Sequence, residues 1–421
     1  MAKYIYAKHF CLGVQNAWAK ELYKAHLDVW NGCREYLPKP DFSHFHCAKE
    51  YQEKFNFKDY YCSFEKLIIE MKKNGFNENK SVLPVDKNLI LIDGSHRLGS
   101  ALACNILVSV KVLDKNTHRF SADYFKNKKD LVLSGLKTEY LDAMALEYTR
   151  LKQDTFIVSI FPAARGKLDR VRAILNQFST IVYEKDIQFF NNGPQNFIHL
   201  LYETENWVGS WQNNFAGVKG KTNGCFPENK GLVHIFLIEA NNLEILRQAK
   251  EQIRSLFKIG NDSIHINDTY DETLKLAEAV FNENSIHWLN HAKIKYCKNF
   301  ERYINEFKQW LKQENIDKEC FCIDTSAVLS AYGLRDCRDL DFLHHNFDAK
   351  VSNLNNKYLG SHNTELKYHT YEKDQIIFNP RYYFYYKGVK FASLNVIKLL
   401  KTNRNEEKDR HDINLINSIY I

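Results

Sequence analysis

The feature that most constrains the fold is an apolar run that breaks into a polar turn and then into a helical pattern. Leu89-Ile90-Leu91-Ile92 is apolar and half β-branched, which predicts a strand. From Leu98 to Leu107, small and apolar residues recur at helical spacing. Between them stands Asp93-Gly94-Ser95-His96-Arg97. Asp93 is placed to cap the helix, Gly94 permits a tight turn, and His96 and Arg97 enter the first helical turn. A helix start offers unpaired N–H groups and the positive end of a dipole. With His96 and Arg97 added, the turn is a candidate phosphate cradle. The same residues also suit an ordinary strand-to-helix turn with a surface arginine.

The surrounding order narrows the choice. Glu65-Lys66-Leu67-Ile68, Gly75-Phe76, Leu83-Pro84-Val85, the Asp93–Arg97 turn and Val108-Ser109-Val110-Lys111-Val112 follow one another between about residues 55 and 115. This order resembles the ParB/sulfiredoxin fold, which includes partition proteins, sulfiredoxins and kinases of free serine. The resemblance implies that Asp93, Gly94, Ser95, His96 and Arg97 hold the phosphates of ATP or another nucleoside phosphate. It also suggests Glu65 as a base. No cysteine stands in the turn, so sulfiredoxin chemistry is not expected.

At 421 residues the chain has room for two or three domains. The expected fold class is α/β (α+β) and multidomain. The expected divisions are a ParB/sulfiredoxin-like domain with a helical lead-in at 1–150, a middle α/β domain at 151–295 and a last α+β domain at 296–421. A formal charge of +7 permits an anionic substrate or nucleic acid and demands neither. No run of five basic residues exists; Lys126-Asn127-Lys128-Lys129 comes nearest. The opening residues lack a signal-peptide h-region, and no apolar run reaches membrane-span length. The ten cysteines show no framework. Cys320-Phe321-Cys322 has the wrong spacing for a zinc knuckle, and His44-Phe45-His46-Cys47 lacks a second ligand pair. Reduced thiols in a cytoplasmic protein are expected.

Helical spacing runs over 15–29, 63–74 and 121–152, the last with Leu131, Leu133, Leu136, Leu141 and Leu146 as core candidates. Near 153 the pattern changes. Phe156–Phe161 predicts a buried strand, followed by Arg165, Lys167 and Arg170 and a helix over 168–178. Further strands are expected at 179–183 and 232–238, and helices at 242–257, 270–282 and 296–315. Gly217-Val218-Lys219-Gly220-Lys221-Thr222 is not a P-loop, because Phe215 occupies the required glycine position and no strand precedes it. It remains a candidate flexible basic loop near an anionic ligand. His265-Ile266-Asn267-Asp268-Thr269-Tyr270-Asp271-Glu272 combines a capping box, Thr269 with Glu272, with His265 and Asp268 as a candidate acid–base or metal pair.

In the last region Asp339 and Asp341 stand at i and i+2 on an expected strand, so both point to one face. That arrangement suits a divalent ion, usually Mg2+, held against substrate phosphates. Ser326, in Ile323-Asp324-Thr325-Ser326, precedes Asp339 at the start of an expected helix. A hydroxyl turn, a helix and an Asp-x-Asp strand resemble the nucleotidyltransferase-fold superfamily over about 320–415. Where that family has Gly-Ser, this chain has Thr325-Ser326. Glu365, Glu372 and Asp374 are candidates for a third carboxylate. Surface acids paired with Arg335 and Arg338 are the plain alternative for Asp339 and Asp341.

Together these resemblances imply a cytoplasmic phosphotransferase or nucleotidyltransferase. Mg2+ would sit on Asp339 and Asp341, Ser326 would contact the phosphate tail, and Lys401 or Lys408 would neutralise developing charge. The acceptor would be a small phosphorylated or hydroxylated metabolite, such as a sugar phosphate or amino alcohol of surface-polysaccharide assembly. The alternatives are a nucleic-acid-binding protein or nuclease, a toxin-like nucleotidyltransferase acting on RNA, or a non-enzymatic scaffold. No helix-turn-helix signature or basic stripe supports DNA binding.

Overall fold

The structure, a computed structural model, describes residues 1–14, 16–31, 56–117, 119–127 and 135–419. It is a mixed α/β, multidomain chain with three sheets. Two compact units divide it, Met1–Tyr148 and Thr149–Ile421. His44-Phe45-His46-Cys47, Lys128, Lys129, Leu131 and Leu133 lie outside the described residues.

The first unit begins with helices α1 (Ala2–Leu12), α2 (Trp18–Asn31) and α3 (Phe57–Asn74). Helix α3 starts on a capping box between Asn56 and Asp59 and stops at Gly75. Its Phe64, Ile68 and Met71 recur at helical spacing and are buried. Phe64 meets Tyr23 with ring centroids 5.3 Å apart, and Tyr23 meets Tyr6 at 5.2 Å. Burying each such ring stabilises the unit by about 1.5–3 kcal/mol. Strand β1 (Leu83–Val85) pairs in parallel with β2 (Val110–Val112), with Leu83 opposite Val110. Helix α4 (Ser95–Cys104) is the crossover between them, as parallel pairing requires. Helices α5 (Ala122–Asn127) and α6 (Thr138–Leu151) follow. Leu136, Leu141 and Leu146 are buried as expected.

The strand expected at Leu89–Ile92 does not form. The buried Asp86 carboxylate accepts from the backbone N–H groups of Asn88 (2.8 Å), Ile90 (2.9 Å) and Thr117 (3.0 Å). Those bonds curl the chain into a turn with Leu89 at φ 60°, so only Leu91 bridges back, to Val85. The ladder belongs to Leu83-Pro84-Val85 instead.

The second unit holds two sheets. Strand β3 (Thr155–Ile160) leads to helix α7 (Leu168–Phe178) and strand β4 (Thr180–Phe189). Helices α8 (Gly193–Tyr202) and α9 (Ala216–Cys225) then intervene. Strand β5 (Gly231–Glu239), helix α10 (Leu243–Phe257) and strand β6 (Ile264–Ile266) complete the sheet. The strand order is β4-β5-β3-β6, and every neighbouring pair is antiparallel. This is the split βαβ arrangement. Phe156, Val158, Ile160, Phe236, Ile238, Ile264 and Ile266 pack one face against Val171, Leu175, Leu246 and Ile253 of α7 and α10. The strand alternation and the helix spacing thus bury the same core.

Helices α11 (Tyr270–Val280), α12 (Glu283–His291) and α13 (Lys298–Gln313) lead to the other sheet. It comprises β7 (Phe321–Ile323), β8 (Leu340–His344), β9 (Leu359–Ser361), β10 (Tyr383–Tyr386) and β11 (Val389–Ala392), ordered β10-β11-β7-β8-β9. A short helix, α14 (Ser326–Ala331), joins β7 to β8. Helices α15 (Leu394–Arg404) and α16 (Glu407–Asn417) follow β11. Phe307 and Trp310 of α13 cover Phe321 and Phe342. The boundary expected at 295 separates the two sheets but not two compact units. Across it, Trp288 packs against Tyr386 with ring centroids 4.3 Å apart and donates its indole N–H to Ala331 O. Arg150 ties to Glu319 (2.9 Å) and the Tyr385 hydroxyl (2.8 Å).

Candidate functional site

A polar cluster in the second unit lies where β7 ends, β8 begins and β9 ends. Strand β7 pairs antiparallel with β8, and the ladder continues one step, from Asp324 N–H to Asp341 O at 2.8 Å. Strand β9 lies parallel on the other side of β8, with Gly360 opposite Asp341. Asp341 is half-buried on β8, and Asp339 is exposed in the bend before it. The expected pair at i and i+2 is therefore at a strand start, one member wet and one partly shielded. Burial raises the Asp341 carboxyl above its ordinary range, and the negative Asp339 and Asp324 add to the rise.

Thr325 carries an unusual backbone, φ 51° and ψ −126°. A β-branched residue takes that conformation only under strain, whereas glycine takes it freely. Thr325 thus stands in a glycine-type conformation. The Thr325 hydroxyl donates to Asp341 Oδ2 at 2.6 Å. Ser326 follows as the first residue of α14.

Asp324 is the third carboxylate of the cluster. It is fully buried, and its Oδ2 faces His362 Nδ1 at 3.0 Å and His369 Nε2 at 2.9 Å. Burial alone would raise its pKa. His369 and His362 outweigh that and hold it well below the usual carboxylate range. Sequence reasoning passed over all three residues and proposed Glu365, Glu372 or Asp374 instead. Glu372 caps a short helix, Lys373–Phe378, and Asp374 pairs with His345 at 2.8 Å. The available signal was positional: Asp324 directly follows the strand that pairs with the Asp-x-Asp strand.

The basic residues expected beside the site are spent elsewhere. Lys401 is 2% exposed, and its ammonium lies between Asp409 (3.2 Å) and Asp412 (2.7 Å). Arg335 forks onto both oxygens of Asp412 at 2.6 and 2.7 Å, and Arg404 onto Asp409 at 2.9 and 2.7 Å. Lys408 is exposed and pairs with Glu406 at 2.8 Å. Lys401 is thus part of a buried ion network pinning α15 to α16, and the charge-neutralising role expected of it is corrected accordingly. Arg335, offered as a plain surface partner of Asp339 and Asp341, is likewise committed to Asp412.

In the middle sheet, Thr269 and Glu272 form the expected capping box. His265 sits on β6 opposite Ser159, its ring edge-on to Tyr202 at 4.9 Å. Burial, reinforced by Lys250, Lys221 and Arg254, lowers its pKa to about 3. Asp268 is exposed after the strand, and its backbone N–H, not its carboxylate, takes part in the cap. Among the described residues no hydrogen bond joins His265 to Asp268, so the acid–base pair is not assembled. A base with so low a pKa is also poorly matched to neutral pH. The Gly217–Thr222 run is the interior of helix α9, not a loop, and Lys221 pairs with Asp262 at 2.7 Å.

In the first unit, the Asp93–Arg97 turn opens α4 as expected. Gly94 is the N-cap at φ 89°, and a Cβ there would lie 2.5 Å from Leu83 Cδ2 and 2.8 Å from Arg97 Nη2. Asp93 does not cap; its carboxylate pairs loosely with Arg97 at 3.6 Å. His96 is turned inward, its Nε2 2.7 Å from the Tyr23 hydroxyl and its ring edge-on to Phe64. Ser95 is exposed and accepts from Lys3 Nζ at 2.5 Å. Burial lowers the Lys3 pKa to about 8, against the opposing pull of Asp93. A desolvated cation at a helix N-terminus is electrostatically costly, and an anionic ligand would offset that cost. Lys3 is a residue that sequence reasoning missed. Glu65 accepts from the Tyr6 hydroxyl at 2.9 Å.

Among the described residues, no helix is long and apolar enough to cross a membrane. Comparisons with protein-family models, with curated proteins and with solved structures returned no match.

Proposed function

We propose that the chain is a Mg2+-dependent phosphotransferase or nucleotidyltransferase acting on a small metabolite. The observation that carries this reading is the carboxylate cluster at the start of β8. There Asp341 is buttressed by the strained Thr325 while Asp339 stays open to solvent. The donor set fits magnesium, a hard cation that keeps several waters and takes one or two carboxylates plus substrate phosphates. Asp339 and Asp341 would hold the ion, which when bound offsets the negative charge of a nucleotide's phosphates.

The remaining work falls to the chain itself. Thr325 fixes Oδ2 of Asp341, and Oδ1 lies beside Gly360, where a side chain is lacking. Ser326 offers a hydroxyl to the phosphate tail. Separately, the first unit carries an anion-binding turn formed by Lys3, Ser95 and Arg97 at the start of α4. Its ligand is a nucleoside phosphate such as ATP or a phosphorylated acceptor. An acceptor of the sugar-phosphate or amino-alcohol class is consistent with the resemblances.

A thermal-shift screen of nucleoside di- and triphosphates with Mg2+ tests the reading. Stabilisation of the wild type that Asp339→Asn and Asp341→Asn remove is the expected result. A wild type that no nucleotide stabilises, but that binds duplex DNA with a steep salt dependence, would replace it with a nucleic-acid-binding function.

A further inference from the structure

We propose that Asp324, His362 and His369 form a second, separate cation site that takes a zinc-class transition-metal ion. This goes beyond the magnesium-dependent reading and does not rest on it. Asp324 Oδ2, His362 Nδ1 and His369 Nε2 converge so that the three ligand atoms lie within 4.8 Å of one another. The three residues come from different places: the end of β7, the residue after β9, and the loop after the turn Asn363–Tyr368. The site is closed. The side chains of Asp324 and His369 are 0% and 1% exposed, and that of His362 is 13% exposed.

The hydrogen-bond pattern favours a cation among these three groups. Two imidazoles aim at one oxygen of one carboxylate, while the other oxygen, Asp324 Oδ1, is buried with no partner. His369 Nδ1 is also buried without a partner. A purely hydrogen-bonded triad would divide two donors between two oxygens, because an unpaired buried carboxylate oxygen is costly. A cation in place of the two ring protons would draw on both nitrogens and leave Oδ1 free to share it. Donor chemistry separates this site from Asp339 and Asp341. Imidazole nitrogen with one carboxylate suits zinc, cobalt or iron, whereas an all-carboxylate pair suits magnesium.

The test uses the full-length chain, stripped of metal by a chelator and titrated with Zn2+ and, in parallel, Co2+. A single tightly held equivalent is expected, with visible Co2+ d–d bands and no thiolate-to-cobalt charge-transfer band. The double variant H362Q/H369Q should lose that equivalent, while D339N should keep it. X-ray absorption on the zinc-loaded wild type should show a nitrogen and oxygen shell with imidazole scattering near 2.0–2.1 Å and no sulfur near 2.3 Å. This last measurement decides the matter even where the double variant does not fold. Absence of tight uptake by the wild type, retention of the equivalent by a folded H362Q/H369Q, or a sulfur shell would each overturn the proposal. A chain that takes up zinc here yet shows no Mg2+-nucleotide stabilisation would keep this site and remove the transferase reading. The reverse outcome would do the opposite.

Discussion

Replacing Thr325 separates backbone strain from side-chain bonding. At φ 51° and ψ −126° the residue sits in a region that L side chains rarely adopt. Holding a β-branched residue there costs about 1–3 kcal/mol. Against that, its hydroxyl bonds the Asp341 carboxylate at 2.6 Å, an interaction of about 1.5–3 kcal/mol for a charged acceptor. Thr325→Ala keeps the strain and loses the bond. Thr325→Gly loses the bond but releases the strain, at an entropic cost of about 0.5–1 kcal/mol relative to alanine. Glycine should therefore be the more stable of the two by about 1 kcal/mol, within a range of about 0–2.5 kcal/mol, inverting the usual order. In a unit of this size that is a gap of roughly 1–5 °C in melting temperature. Differential scanning calorimetry of wild type, Thr325→Ser, Thr325→Ala and Thr325→Gly reads it directly. The expected order places serine near wild type, then glycine, then alanine. An alanine variant at least as stable as the glycine variant would refute the strain argument, and with it the correspondence between this position and a glycine turn.

Three further outcomes follow from charges and close contacts. Lys401→Met should cost about 3–5 kcal/mol, because it strands Asp409 and Asp412 in the interior, and urea unfolding measures it. Acid should destabilise the second unit. Arg404 and Lys401 outweigh burial to hold Asp409 at about pKa 2, and His234 and Arg172 do the same for Glu184. A depressed folded pKa means the unfolded chain binds the proton first. The stability that Asp409 and Glu184 contribute is therefore full above their unfolded pKa of about 4 and is lost as pH falls toward 2. His265 acts in the same direction between pH 6.5 and about 3, so melting temperature should decline with acidification and Asp409→Asn should flatten the slope. Gly94→Ala should both destabilise the first unit and abolish anion binding at the turn, since a Cβ there meets Leu83 and Arg97. Limited proteolysis with and without nucleoside triphosphate checks both effects.

The legible parts of the chain were those whose cause is local. The helix over 243–257, the Thr269–Glu272 capping box, the buried strand at 155–160 and the glycine requirement at position 94 all depend on residues within a few positions of one another. One misreading is local, and the others originate in distant partners. Leu89–Ile92 has strand composition, but the Asp86 carboxylate accepts from the backbone N–H groups of Asn88 and Ile90 and curls the segment into a turn. Lys401 has the look of a phosphate-facing base, but Asp409 and Asp412, one helix later, enclose it. His362 and His369 lie 38 and 45 residues beyond Asp324, and no short-range pattern links them. The strand expected to carry both Asp339 and Asp341 begins at Leu340, so Asp341 stands on β8 and Asp339 in the bend before it.

The burial gradient across the β7–β8–β9 edge argues for a division of labour among its acids. Asp339 is exposed, Asp341 is half-buried and Asp324 is fully buried, yet all three belong to one ladder end. An exposed carboxylate paired with a partly shielded one suits an ion that arrives with a nucleotide and leaves with its product, because magnesium keeps its waters. A buried carboxylate already faced by two imidazoles suits an ion that stays. Thr325 connects the two: it follows Asp324 in sequence and bonds Asp341 in space. A resident ion on Asp324 would stiffen the turn that carries Thr325, and so hold Asp341 in register for the exchanging ion. The strain retained at Thr325, where glycine would remove it, is then intelligible as the cost of keeping a hydroxyl between the two sites.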